Sequence, residues 1–196
     1  MCALPYTPRL SRNSPTPMMN NPYWYSGTYN PYYTAGFGLP NCTCYAFGRW
    51  AEIMNAYPTG LAPSHGNAET WYNDTTVYQK GTVPKLGAII CFANGPYLGK
   101  GHVAVVEQID ADGTVHFSNS GYTRKPSLWN KLYFYTREGK ASNNYGYERG
   151  YNFQGFIYLP DDYTPPDNPP TPDTNVRRKP LWFWTRRPFI GGKIWL

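Results

Sequence analysis

Asn41-Cys42-Thr43-Cys44-Tyr45-Ala46-Phe47-Gly48-Arg49-Trp50 has the pattern of a capped helix that opens on a cysteine. Asn41 is a good N-cap, apolar residues recur at Ala46, Trp50, Ile53, Met54 and Tyr57, and Pro58-Thr59-Gly60 ends the pattern, so a helix is expected from Cys42. Gly48 inside a helix costs roughly 1 kcal/mol relative to Ala, which implies a close neighbour at that position. Cys42 takes the first helical position. Unpaired backbone N–H groups and the helix dipole favour a thiolate there and can pull its pKa below the free value of about 8.5. Cys44, about 200° further round, points away from it.

A lone cysteine is by default a small buried hydrophobe. That reading suits Cys91, in the strand-like run Gly87-Ala88-Ile89-Ile90-Cys91-Phe92, and Cys2 is incidental. Cys42 departs from it because its position activates a nucleophile, and a nucleophile needs a base. His65 lies in the turn Pro63-Ser64-His65-Gly66, where it is expected to be exposed. His102 and His116 flank a hairpin that runs from Gly101 to Ile109, through Asp110-Ala111-Asp112-Gly113, and back from Thr114 to Asn119. Alternation puts His102, Ala104 and Val106 on one face and Val103, Val105 and Glu107 on the other. A four-residue loop pairs Ile109 with Thr114 and makes Asn119 a diagonal neighbour of His102, roughly 7–8 Å away. A two-residue turn at Asp112-Gly113 would place Asn119 about 13 Å along the strand from His102. His116 and Glu107 fall on the opposite face in either register. Cys42, His102 and Asn119 are therefore the consistent nucleophile, base and orienting set.

The composition sets the frame around this set. The chain has 196 residues, 18% aromatic and 15% charged, with 20 Pro, 19 Gly and a net charge of +6. That excludes a coiled coil, while 41% apolar residues exclude full disorder. Four Cys do not make a disulfide framework. Residues 1–35 form a Tyr/Pro-rich arm, expected to wrap the domain because so many aromatics are costly to leave in water. Residues 161–180 form an Asp/Pro-rich linker of polyproline type. Residues 181–196, with Trp182, Trp184 and Trp195 among Arg186, Arg187 and Lys193, read as a basic docking tail. The charge divides accordingly, with +4 on residues 1–160, four acids and no base in 161–173, and six bases and no acid in 177–196.

The same residues resemble the CHAP family, the cysteine, histidine-dependent amidohydrolase/peptidases. Asn41 to Arg49 resembles the nucleophile motif, Pro84 to Ile90 the first sheet strand, Gly101-His102-Val103-Ala104-Val105-Val106-Glu107 the histidine strand, Ser118-Asn119-Ser120-Gly121-Tyr122 the third-residue segment, and Gly155 to Pro160 the closing strand. The resemblance spans residues 36–160, in order. It implies an α+β, papain-like fold, with a helix carrying the Cys packed on an antiparallel sheet carrying the His. It implies cleavage of an amide bond in bacterial peptidoglycan, either the N-acetylmuramoyl-L-alanine bond or one within the peptide. Cys42 would be the nucleophile, His102 the general base and Asn119 the orienting residue, with the Cys42 N–H and the Asn41 side chain holding the oxyanion. Trp71 and Tyr122 would line the cleft. Some relatives carry a second polar residue where Gly121 stands here, so a four-residue site is not expected. Some also carry an Asp-rich calcium loop before the Cys. Residues 32–39 hold no carboxylate, so no calcium or other cofactor is expected.

A zinc site of Cys42, Cys44, Cys91 and His102 is the rival reading, disfavoured because the C-x-C spacing at a helix start splays the sulfurs and no C-x-x-C pair exists. Residues 1–5 show no secretory signal, and no window offers 18 uncharged apolar residues for a membrane span. The expected setting is a phage-type lysin, carried on a virion tail or made in the host cytoplasm and delivered to the wall. Its tail would dock on a virion protein in preference to nucleic acid. The alternative is a particle component whose hydrolysis is secondary.

Overall fold

The computed structural model describes residues 7–10, 15–16, 22–27, 29–33, 38–96, 98–124, 126–129, 131–147, 150–161 and 163. Cys2, nearly all of the expected linker and the whole docking tail lie outside the described residues.

Helix α1 spans Cys42–Met54. Asn41 caps it as expected, its side-chain oxygen accepting from the Thr43 N–H at 3.1 Å. Its end falls short of the expected one. Asn55 adopts a left-handed conformation (φ 50°) and terminates the helix, leaving Tyr57 outside. Tyr57 looked helical because its ring still packs on Phe47, 5.3 Å between centroids, from the following loop. Gly48 has the close neighbour its cost implied: a Cβ there would run into the Tyr25 ring and lie 3.0 Å from the Trp24 carbonyl oxygen.

A short two-stranded ribbon pairs β1 (Pro15–Thr16) with β6 (Leu132–Tyr133). A second helix, α2, is the single turn Trp71–Asp74. The main sheet contains β2 (Lys80–Gly81), β3 (Ile89–Ala93), β4 (His102–Ile109), β5 (Val115–Asn119), β7 (Tyr135–Gly139) and β8 (Asn152–Ile157). Its order is β2-β8-β3-β4-β5-β7, antiparallel at each pairing. The architecture is thus α+β, with the cysteine helix laid on an antiparallel sheet. The closing strand begins and ends about three residues earlier than its sequence suggested.

Alternation along the strands builds two cores. Ile89, Cys91, Val103, Val105 and Ile157 face α1 and meet Tyr45, Trp50 and Ile53. Ile90, Phe92, Ala104, Val106, Phe117 and Phe156 face the other way and are covered by Tyr145 and Tyr147. Trp71 is fully buried in the first core, so it does not line a cleft as expected; its indole fills the space beside Tyr32, 5.0 Å between ring centroids.

The hairpin register differs from the expected one at its turn. Ile109 pairs with Val115, not Thr114, and the Asp110 N–H reaches the Thr114 carbonyl. A bulge at Glu107 then takes up one residue, so Val106 faces Phe117 and Val105 faces Ser118. Toward the His102 end, the register is therefore the one that brings His102 and Asn119 together.

Residues from the N-terminal stretch are built into this body. Arg9 is buried, donating from Nη2 to Glu52 Oε2 at 2.5 Å and from Nη1 to the Tyr25 hydroxyl at 2.6 Å. Arg49 grips Glu107 with two bonds, Nε to Oε1 at 2.9 Å and Nη2 to Oε2 at 2.8 Å. Ser118 Oγ and the Arg9 backbone N–H donate to the same carboxylate. Burial alone would raise the Glu107 carboxyl, but the Arg49 charge and these hydrogen bonds outweigh it and hold the group below the usual carboxylate range. Removing one member of a buried pair leaves the other uncompensated. Glu107→Gln is therefore expected to lower unfolding free energy by about 3 kcal/mol, read from urea denaturation; a change within experimental scatter would contradict this role.

Candidate active site

Three elements deliver the site. Helix α1 presents Cys42 at its first residue, β4 presents His102 at its first residue, and β5 presents Asn119 at its last. Gly101 permits this approach. A Cβ there would lie 2.6 Å from the Glu69 N and 2.7 Å from its Cα, so only glycine lets β4 start against that segment. The Glu69 carboxylate accepts the Gly101 N–H at 3.1 Å and the Lys100 ammonium at 3.2 Å, fixing the strand's entry.

His102 Nε2 lies 2.8 Å from Asn119 Oδ1. The Asn119 amide nitrogen donates to the Tyr135 carbonyl at 3.0 Å, which orients the amide and leaves its oxygen facing the imidazole. An amide oxygen can only accept, so Nε2 carries the proton and Nδ1 of the neutral ring carries the lone pair. The Tyr147 ring packs against the imidazole, 5.2 Å between centroids.

Cys42 and His102 open into one cavity of about 430 Å³, which they line with Gly121, Tyr122, Thr123, Arg124, Tyr135 and Tyr151. The Cys42 thiol does not have the lowered pKa expected of a helix start. Burial pushes it up to about 11, against the backbone N–H groups of Val103, Thr43 and Cys42, which favour the thiolate. Burial likewise lowers His102 to about 4, against the hydrogen bond to Asn119, which raises it. Near neutral pH the pair is a thiol beside a neutral imidazole with Nδ1 free to accept. Such a pair can deprotonate the thiol as it attacks, without a preformed ion pair.

Tyr122 lines the cavity, 61% exposed. Tyr135, Tyr151, Thr123 and Arg124 line it without having been singled out in the sequence. Tyr135 and Tyr151 come from strands and loops distant in the chain, and only Thr123 and Arg124, directly after Tyr122, carried a positional signal. His65 sits in a left-handed turn (φ 50°) against the Tyr32 ring, and is half-buried rather than exposed. His116 binds Asp110 at 2.7 Å and Glu138 at 3.4 Å, on the face away from Asn119. Cys44 and Cys91 are buried in the core, and among the described residues no three of His, Cys, Asp and Glu converge as metal ligands, which removes the zinc reading. Among the described residues no helix is long and apolar enough to cross a membrane.

The CHAP domain family model matches residues 30–121. The chain is similar to the probable autolysin LDP of Staphylococcus aureus, 37% identical over 88 residues that cover 44% of this chain and 29% of that protein. It is also similar to the probable autolysin SsaALP of the same organism, 36% identical over 94 residues, 48% of this chain and 32% of that protein. The chain thus spans about a third of the length of these curated relatives. Among solved structures, it is similar to an N-acetylmuramoyl-L-alanine amidase from Staphylococcus aureus, with 26% identity and a TM-score of 0.40 over 59% of this chain and 30% of that one. The helix-borne Cys42, the strand-borne His102 and Asn119 all fall within residues 30–121, the stretch of this chain that the CHAP domain family model matches.

Proposed function

We propose that the chain is a peptidoglycan hydrolase that cleaves an amide bond through Cys42. The observation that carries this reading is the shared cavity of Cys42 and His102, together with the 2.8 Å bond from His102 to Asn119 that leaves Nδ1 as the base. In this mechanism His102 Nδ1 takes the Cys42 proton as sulfur attacks the scissile carbonyl. The oxyanion is held by the Cys42 N–H and by the amide nitrogen of Asn41, whose oxygen is engaged by Thr43. His102 then protonates the leaving amine, and water releases the acyl group. The bond is either the sugar–peptide amide or one within the stem peptide. The same reading takes the chain as a phage-type lysin, borne on a virion tail or delivered to the wall from the host cytoplasm, with residues 181–196 as its docking element; the support for that part is the composition of the tail.

Three measurements test this reading. Wild-type protein is expected to clear a suspension of purified peptidoglycan and Cys42→Ala to lose at least a hundredfold in rate. Equal clearing by the two would overturn the assignment, and a chain lacking residues 161–196 that keeps both wall binding and particle incorporation would remove the docking role. Iodoacetamide alkylation of Cys42, mapped by peptide mass, should rise through the range from about pH 9 to about pH 11, because only the thiolate reacts and burial holds the thiol near 11. A rate already level at pH 7 would indicate a standing thiolate instead.

A further inference from the structure

Next to the Cys42 cavity lies a second compartment of about 310 Å³, walled by Tyr33, Pro40, Asn41, Tyr122, Thr123 and Trp129. Tyr122 and Thr123 belong to both compartments, so the two form one cleft divided by that pair. Asn41 directly precedes Cys42, and a ligand here would lie alongside the start of α1. The two halves differ in chemistry. The Cys42 side has Arg124, whereas no charged side chain lines the second side among the described residues.

Two large aromatic side chains are left exposed at this place, Tyr122 at 61% and Trp129 at 53%. Trp129 is held in position, its indole N–H donating to the Thr123 carbonyl at 3.1 Å. A fixed aromatic wall beside an amide and several hydroxyls fits a ligand with one apolar face and a polar edge, and its preset geometry lowers the cost of binding. Peptidoglycan offers both halves of a match. Its stem peptides carry carboxylates suited to Arg124, and its N-acetylated sugars are neutral rings with a C–H face, hydroxyls and an amide.

We infer that the second compartment is a saccharide subsite, in which an N-acetylated sugar of the glycan strand lies against Trp129 and Tyr122 while the attached peptide crosses Cys42 toward Arg124. This rests on the peptidoglycan hydrolase reading above for its choice of ligand. The aromatic faces bury the C–H face of the ring, and Asn41 and the Thr123 hydroxyl meet its polar edge. Losing one aromatic wall costs on the order of tenfold in affinity at the usual yield of apolar burial.

The test uses the full chain as Cys42→Ala, titrated calorimetrically with a disaccharide-bearing stem peptide and with the same peptide lacking sugars. The sugar-bearing probe is expected to bind about tenfold more tightly. Adding Trp129→Ala should erase that difference, and Trp129→Phe should keep most of it. Tyr122→Ala is the second variant, with the same loss expected, should Trp129→Ala melt early. Equal affinity for the two probes, no binding of either, or a preference that survives both alanine variants would overturn the subsite. A sugar preference in a protein whose wild type cleaves no peptidoglycan would leave the subsite standing and sink the hydrolase reading. Hydrolysis without a sugar preference would do the reverse.

Discussion

The buried Arg49–Glu107 pair fixes the elements that carry the site to one another. Arg49 lies two turns along the helix that begins at Cys42, and Glu107 lies on the strand that begins at His102. Ser118, which donates to the same carboxylate, directly precedes Asn119. One carboxylate thus joins the helix bearing the thiol, the strand bearing the imidazole and the strand bearing the amide. Arg9 and Tyr25 extend the lock to the N-terminal stretch through Glu52. Charges this deeply buried persist only when each has its partners, so the arrangement has one satisfied geometry and penalises slippage of any element.

Within that frame, the proposed chemistry turns on a side chain that does not react. Asn119 has its amide nitrogen committed to the Tyr135 carbonyl, so its oxygen must face His102, and the imidazole proton must sit on Nε2. Nδ1 then carries the lone pair of the neutral ring. Burial keeps both thiol and imidazole neutral, which favours proton transfer during attack over a charged pair maintained at rest. The helix start still contributes, because the N–H groups of Cys42 and Thr43 that favour a thiolate can also stabilise charge on an attacking sulfur or an oxyanion.

Much of this was legible in the sequence because it rests on local rules. Asn41 as cap and Cys42 as first helical residue follow from cap chemistry, and the facing of His102 and Asn119 follows from strand parity. The tight contact at Gly48 follows from its helix cost. What was not legible depends on tertiary context. The bulge at Glu107 is unmarked by Gly or Pro, yet without it the turn register that Ile109 and Val115 adopt would have moved Asn119 off His102's diagonal. Glu107 alternates onto the same face as Val103 and Val105, so a charged residue in an apolar row was a visible sign of a buried partner. That the partner is Arg49, 58 residues away, needed the packing of α1 on the sheet. Trp71, expected at the cleft, and the thiol of Cys42, expected to be stabilised by the helix dipole, differ from expectation for a related reason: burial in the assembled fold overrode both.

The proposed mechanism requires the Cys42 sulfur to form a bond to the acyl half of a peptidoglycan amide. Acid quenching of a digestion in its first turnovers, followed by peptide mass mapping, tests it most directly. A mass increment equal to the acyl fragment is expected on the peptide containing Cys42 and on no other peptide. Released products without any adduct on Cys42, at a rate unchanged by alkylating that residue, would contradict it.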